Sequence, residues 1–205
     1  MQPAVPTRIR RTALAVAAAG LAVPALASAA CPSTPSAQVF AQWGDTAQYS
    51  LLAGGHFEGG APGWNTSSGA AFTAGNEPWK VAGAGHTTSL TLRAGATVTS
   101  PAFCIGYEQP TFRFFIRKAG PGAWGGVSVK VRWRDSAGIV WTVPLGRPDV
   151  WNSTSWAPTA VLPLGRSLPL WQGGHTLTAQ LIFEGAAFGA DMAIDDVYVD
   201  PYMRG

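Results

Sequence analysis

Charged side chains are scarce in this 205-residue chain: 14 Lys and Arg with 11 Asp and Glu make up 12% of it, about half the usual share. With 47% of the residues hydrophobic, that excludes a disordered acidic or basic tail. After residue 30 no apolar run reaches 18 residues, so that part holds no transmembrane helix. The chain has no G-x-S-x-G, no H-E-x-x-H and no Walker loop, so the usual nucleophile, zinc and phosphate signatures are missing. Its three histidines, His56, His86 and His175, lack metal-ligand spacing and read as turn or surface residues. Gly120-Pro-Gly122-Ala-Trp-Gly125 fits G-x-G-x-x-G, but a strand follows it where a pyrophosphate site needs a helix N-terminus. It reads as a glycine turn. Glu58, Glu77, Glu108 and Glu184 lie far apart, and nothing in the sequence pairs two of them as acid and base. The sequence makes no case for catalysis.

Acidic residues are absent from the first 30 positions, which carry Arg8, Arg10 and Arg11, an apolar run from Thr12 to Ala27, and small residues through Ala30. This is the pattern of a removable export signal. Without it 175 residues remain, with 11 basic and 11 acidic side chains, and the formal charge drops from +3 to zero. The basic pI of 9.1 thus owes much to the signal, and nucleic acid and anionic membranes are not expected partners. A chain of that length fits one monomeric domain, 51–205, behind a tether or cover at 31–50. The two cysteines, Cys31 and Cys104, allow two outcomes. Cys31 is acylated as a lipoprotein, or it pairs with Cys104 in an oxidising compartment. Ser28, where a lipobox has Leu, favours the disulfide.

The body is rich in Trp (nine), Phe (nine) and Gly (25) and reads as short strands joined by turns. Val127, Val129, Val131 and Trp133 alternate with Ser128, Lys130, Arg132 and Arg134, which means one buried and one wet face. Asp135–Gly138 turns the chain, and Ile139, Trp141 and Val143 alternate again, completing a hairpin. Phe112, Phe114 and Ile116 share a face opposite Arg113, Phe115 and Arg117. Further strands are expected at 176–184 and 193–200, with weaker ones at 89–93, 97–100, 103–105 and 156–162. Pro163 and Pro169 break the best helical candidate, 162–171. About nine or ten strands without a helix imply an all-β antiparallel sandwich or barrel. Val39–Tyr49 is expected to cover one end of its core.

Two segments stand out: Gly54-Gly55-His56-Phe57-Glu58-Gly59-Gly60 with Pro62-Gly63-Trp64, and Ala193-Ile194-Asp195-Asp196-Val197-Tyr198-Val199-Asp200-Pro201. Together they resemble the opening and closing segments of galactose-binding-like jelly-roll domains, a group that includes many carbohydrate-binding modules. The resemblance spans roughly residues 51–201. The flanking cysteine and the ending from Asp196 to Pro201 also resemble a group of small secreted bacterial proteins. It implies a jelly-roll β-sandwich whose first and last strands are neighbours, with a structural Ca²⁺ held by Glu58 and Asp195 and by backbone carbonyls near Gly54–His56. Calcium takes six to eight oxygens in irregular geometry. Gly54 stands where these domains usually have Asn, which removes one oxygen. By alternation Asp195 shares a face with Val197 and Val199, and if the opposite face is the buried one, Asp196 takes its place. The other reading is that these carboxylates only accept backbone N–H bonds at strand ends.

The implied function is non-catalytic binding of carbohydrate or cell-envelope glycan by an exported protein. A cell-surface interaction module is the alternative, and a jelly-roll hydrolase or lyase ranks below both. Sugar sites use exposed aromatic rings with polar groups beside them. Trp64, Trp133 and Trp141 are expected in the core, and Trp156 is ambiguous. Trp124, Trp151 and Trp171 sit in polar or glycine-rich turns and are the candidate platforms. Arg132 and Arg134, with Lys130, are the candidate groove-lining cations, or else a solvated charged face.

Overall fold

The computed structural model describes residues 31, 34–105, 111–122, 124–135, 137–148, 150, 153–164 and 177–200. The strands run in chain order: β1 (Ser50–Leu51), β2 (Asn65–Thr66), β3 (Ala70–Ala74), β4 (Thr88–Leu92), β5 (Thr97–Thr99), β6 (Phe103–Ile105), β7 (Thr111–Lys118), β8 (Val127–Arg134), β9 (Val140–Gly146), β10 (Ala157–Pro158), β11 (Leu162–Pro163), β12 (Leu177–Gly185) and β13 (Met192–Val199). They form two antiparallel sheets. One has seven strands, ordered β10–β7–β13–β4–β3, with β11 also on β7 and β1 also on β13. The other has six, ordered β2–β5–β12–β8–β9, with β6 also on β12.

Period-two alternation builds the core between them. Phe112, Phe114 and Ile116 of β7 and Met192, Ile194, Val197 and Val199 of β13 meet Val127, Val129 and Val131 of β8 and Ala179, Leu181 and Phe183 of β12. This is a jelly-roll β-sandwich, and its first and last strands are neighbours, with Ser50 opposite Val199. The weak strand expected at 156–162 is split. Both β10 and β11 lie on β7, where Pro158 and Pro163 occupy the sheet edge, the place a residue without N–H is tolerated.

A second apolar layer lies outside the seven-stranded sheet. All eight residues of β13 are buried, so both of its faces need cover. Phe40 supplies it, with its ring 4.9 Å from Tyr49, 5.5 Å from Phe115 and 5.7 Å from Tyr198. The segment Val39–Tyr49 thus covers a sheet face, not an end of the core. Arg113 is locked into this layer. Its guanidinium lies 4.4 Å over the Phe40 ring, meets Asp45 at 3.0 Å and donates to the Thr159 carbonyl. Cys31 is disulfide-bonded to Cys104 on β6, 73 residues away. Constraining a loop of that size removes about 4 kcal/mol of unfolded-chain entropy.

Trp141 corrects an expectation. Val143 and Leu145 of β9 reach the core, but Trp141, nearer the hairpin end of this edge strand, is 47% exposed. It stacks on buried Trp133 at 6.4 Å and donates from its indole N–H to Asp135 at 2.7 Å. Edge strands lack a second neighbour, so alternation there does not ensure burial.

Candidate functional site

Along one edge, β13 pairs with β4 through Met192–Ile194 and with β1 through Tyr198–Val199. Asp195, Asp196 and Val197 lie in the gap between these two partners. On the opposite edge the register with β7 shifts between Asp195 and Tyr198. One extra residue is accommodated there, and Asp196 takes a left-handed φ of 48°, as at a β-bulge. The bulge reverses the alternation. Val197 and Val199 join Ile194 in the core, so Asp195 does not share their face as simple alternation implied. Both Asp195 and Asp196 are fully buried. The chain after β1 closes the gap: Leu52 N–H bonds the Val197 carbonyl, and Val197 N–H bonds that of Gly55. A Cβ on Gly55 would stand 2.9 Å from the Leu52 and Val197 carbonyl oxygens, an approach only glycine permits.

Four carboxylates hold the irregular segment between β3 and β4. Asp195 accepts from Glu77 N–H at 3.0 Å, and Asp196 from Ala82 N–H at 3.3 Å. Glu77, itself fully buried, accepts from Trp79 and Val81 N–H, each at 2.6 Å. Glu58 accepts from Thr87 and Thr88 N–H, each at 2.6 Å, and from the Thr88 hydroxyl. Glu58 therefore anchors the start of β4. Glu77, which the sequence offered only as an acid without a mate, stands beside the two aspartates. Left-handed φ values at non-glycine residues occur at Phe57, Ala61, Lys80 and Asp196, all on the segments around this centre. Such strain persists only where the surroundings enforce it.

Burial is the main cause that pushes the Asp195 carboxyl up to about 9, with neighbouring Asp196 adding to it against bonds from two backbone N–H groups. Asp196 is raised too, by burial first and then by Glu77. Burial would also raise Glu58, but its bonds from Thr87 and Thr88 outweigh that and hold it below the ordinary glutamate value. Among the described residues no Lys or Arg forms an ion pair with these four carboxylates. The Asp196 Oδ1, Asn76 Oδ1, Ser89 Oγ and His86 Nδ1 atoms are buried without hydrogen-bond partners. Three of these belong to residues 76–89, and the fourth to the aspartate that segment folds against. Among the described residues no three His, Cys, Asp or Glu side chains form a ready ligand set. The rings of His56 and His86, separate in the sequence reading, stand 4.6 Å apart beside Glu58. Burial, with His86 next to it, holds His56 below the ordinary histidine value.

The segment hung on these carboxylates presents Trp79, which is 40% exposed. Its ring meets Trp43 edge-on at 4.9 Å, and both lie on Phe115, at 5.6 and 5.3 Å. Trp156 packs half-buried against the same layer, with Arg117 5.1 Å over its ring. Sequence reasoning passed over Trp79, although Glu77-Pro78-Trp79-Lys80 is a polar turn of the kind that singled out Trp124. Trp124 is 39% exposed, with Arg147 4.8 Å over its ring. Lys130, Arg132 and Arg134 lie on the outer face of the six-stranded sheet. Lys130 meets Glu184 at 2.8 Å, Arg132 meets Gln180 at 2.8 Å, and Arg134 bonds the Gly138 carbonyl. They are separated from Trp43 and Trp79 by the thickness of the sandwich. Trp151, Trp171, Glu108 and His175 lie outside the described residues.

No protein-family profile and no curated protein sequence matches the chain. Solved structures do. The C-terminal family 22 carbohydrate-binding module of Clostridium thermocellum Xyn10B aligns at 12% identity over 72% of this chain and 91% of its own, with a TM-score of 0.50. A xylan-binding domain of the same module family aligns at 13% identity, covering 73% and 93%, also at 0.50. The N-terminal tandem of two such modules from Paenibacillus barcinonensis Xyn10C aligns at 14% identity, covering 76% and 45%, at 0.52. At these identities the likeness is one of fold: the chain has the jelly-roll sandwich of carbohydrate-binding modules.

Proposed function

We propose that this is an exported, non-catalytic protein that binds carbohydrate or cell-envelope glycan, and that a structural Ca²⁺ stabilises it. The observation that carries the binding reading is the set of partly open tryptophans, Trp43, Trp79 and Trp156, on one layer outside the seven-stranded sheet. Indole faces cover the apolar face of a pyranose, and a rigid sheet beneath them limits the ordering cost of binding. The structural neighbours support the same reading, since they are carbohydrate-binding modules and one is described as xylan-binding. The disulfide fits an oxidising, extracellular setting.

For calcium, the support is chemical. Asp195, Asp196 and Glu77 are buried together, and unpaired oxygens remain on Asp196, Asn76 and Ser89. Buried carboxylates need a cation, protons or donors, and an oxygen-only donor set suits a hard ion. Asp196, whose Oδ1 carries no bond, would ligate it, with Asp195 and Glu77 supplying further negative charge and Glu58 keeping β4 in place. A bound ion would supply the positive charge that the described residues do not.

The test is retention of the purified mature chain on a panel of insoluble polysaccharides and bacterial cell walls, with and without a calcium chelator. Retention by one polymer and release by its soluble fragments is expected. A folded protein that no polymer retains would contradict the reading. It would move weight to an interaction module, for which the exposed Ile139, Val140 and Trp141 at one hairpin end supply the surface.

A further inference from the structure

Two arginines face outward from β7, four residues apart, and they differ in what they bind. Arg113 is fully engaged by Asp45, the Thr159 carbonyl and the Phe40 ring. Arg117 is not. Its guanidinium lies over Trp156, its Nε is buried without a partner, and NH1 reaches only its neighbour's carbonyl, that of Lys118, at 3.5 Å. Among the described residues no carboxylate forms an ion pair with it. Between the two arginines stands Phe115, which carries Trp43 and Trp79. Residues two apart on a strand are about 7 Å apart. A sugar ring on this tryptophan layer therefore brings its substituents within reach of Arg117.

We infer that the glycan is acidic: a pyranose with a ring carboxylate lies on the tryptophan layer and presents that carboxylate to Arg117. The inference rests on the glycan-binding reading above and adds the substrate class. An unpaired guanidinium is a planar fork that matches a carboxylate through two parallel N–H bonds. Its stack on Trp156 fixes the fork before binding, which reduces the entropy lost when the pair forms. Neutral hydroxyls pair with a cationic N–H less strongly than an anion does. The pairing specifies uronic-acid polymers over neutral ones.

The test is calorimetric titration of the full mature chain with oligogalacturonates and glucuronoxylan fragments, each beside its carboxyl-reduced, uncharged counterpart. The native acidic fragments of at least one polymer are expected to bind about tenfold or more tightly than the reduced ones, as for one charge-assisted hydrogen-bonded pair. Arg117→Gln is expected to remove that preference at an unchanged melting temperature, and Arg117→Lys to restore part of it. Trp79→Ala is expected to weaken acidic and reduced fragments alike. Equal affinity for native and reduced fragments, or an Arg117→Gln variant that keeps the preference, would overturn the inference and leave the glycan reading standing. Binding to no glycan at all would overturn both.

Discussion

Asp195 and Asp196 are adjacent in sequence, fully buried, and set apart from the core by one left-handed backbone angle at Asp196. Their protonation gives the fold a pH dependence whose sign can be stated. The Asp195 carboxyl is raised from 3.8 to about 9 in the folded chain, and Asp196 is raised with it. The fold therefore favours their protonated forms. That stabilisation is fully present below about pH 4 and is lost as the pH rises toward 9. Glu58 is shifted down, so its contribution is lost only on acidification below its ordinary value of 4.5. In chelator, the melting temperature is thus expected to rise as the pH is lowered from 9 to 5. Saturating calcium should reverse that trend, because the ion needs the deprotonated carboxylates and its binding releases protons. Asp196→Asn tolerates the same backbone angle and removes one buried charge. It should melt higher than the parent in chelator at pH 8 and lose the calcium-induced rise. A flat pH profile in chelator, with no calcium response, would leave the four carboxylates as N–H acceptors alone.

The segment between β3 and β4 has little regular structure, and carboxylates grip its backbone at Glu77, Trp79, Val81, Ala82, Thr87 and Thr88. Its order depends on those acceptors rather than on a sheet ladder. Calcium should slow amide exchange at Trp79, Val81 and Ala82 more than in β8 or β12, as measured by exchange with and without the ion at fixed pH. Equal protection changes across the chain would show that the segment is not the responsive element. This element marks the limit of what the sequence reveals. β7 and β8 were legible because their two-residue period is strict and both flanks are clear. The bulge at Asp196 was not, since one left-handed residue leaves no mark in an apolar–acidic run, yet it decides which way Asp195 and Val197 point. The segment around Trp79 holds no period at all, and its acceptors lie up to 118 residues away, at Asp195. The opening and closing motifs did locate Glu58, Asp195 and Asp196 in one neighbourhood, while Glu77 had no local signal to join them.

At the scale of the whole molecule, the two outer faces of the sandwich differ. The six-stranded sheet shows a polar face where Lys130, Arg132, Gln180 and Glu184 satisfy one another. The seven-stranded sheet carries a second apolar layer that buries Phe40, Phe115 and Tyr198 and leaves Trp43, Trp79 and Trp156 partly open. A face whose polar groups are already paired has less to offer a ligand than one with open rings and an unpaired guanidinium. The most direct measurement is therefore the affinity of the mature chain, and of its Trp79→Ala variant, for the soluble fragments of whichever polymer retains it. The account predicts binding quenched at the indole fluorescence and weakened about tenfold or more by the substitution, which removes one aromatic platform. Unchanged affinity in a folded Trp79→Ala protein would contradict the placement of the site on this face.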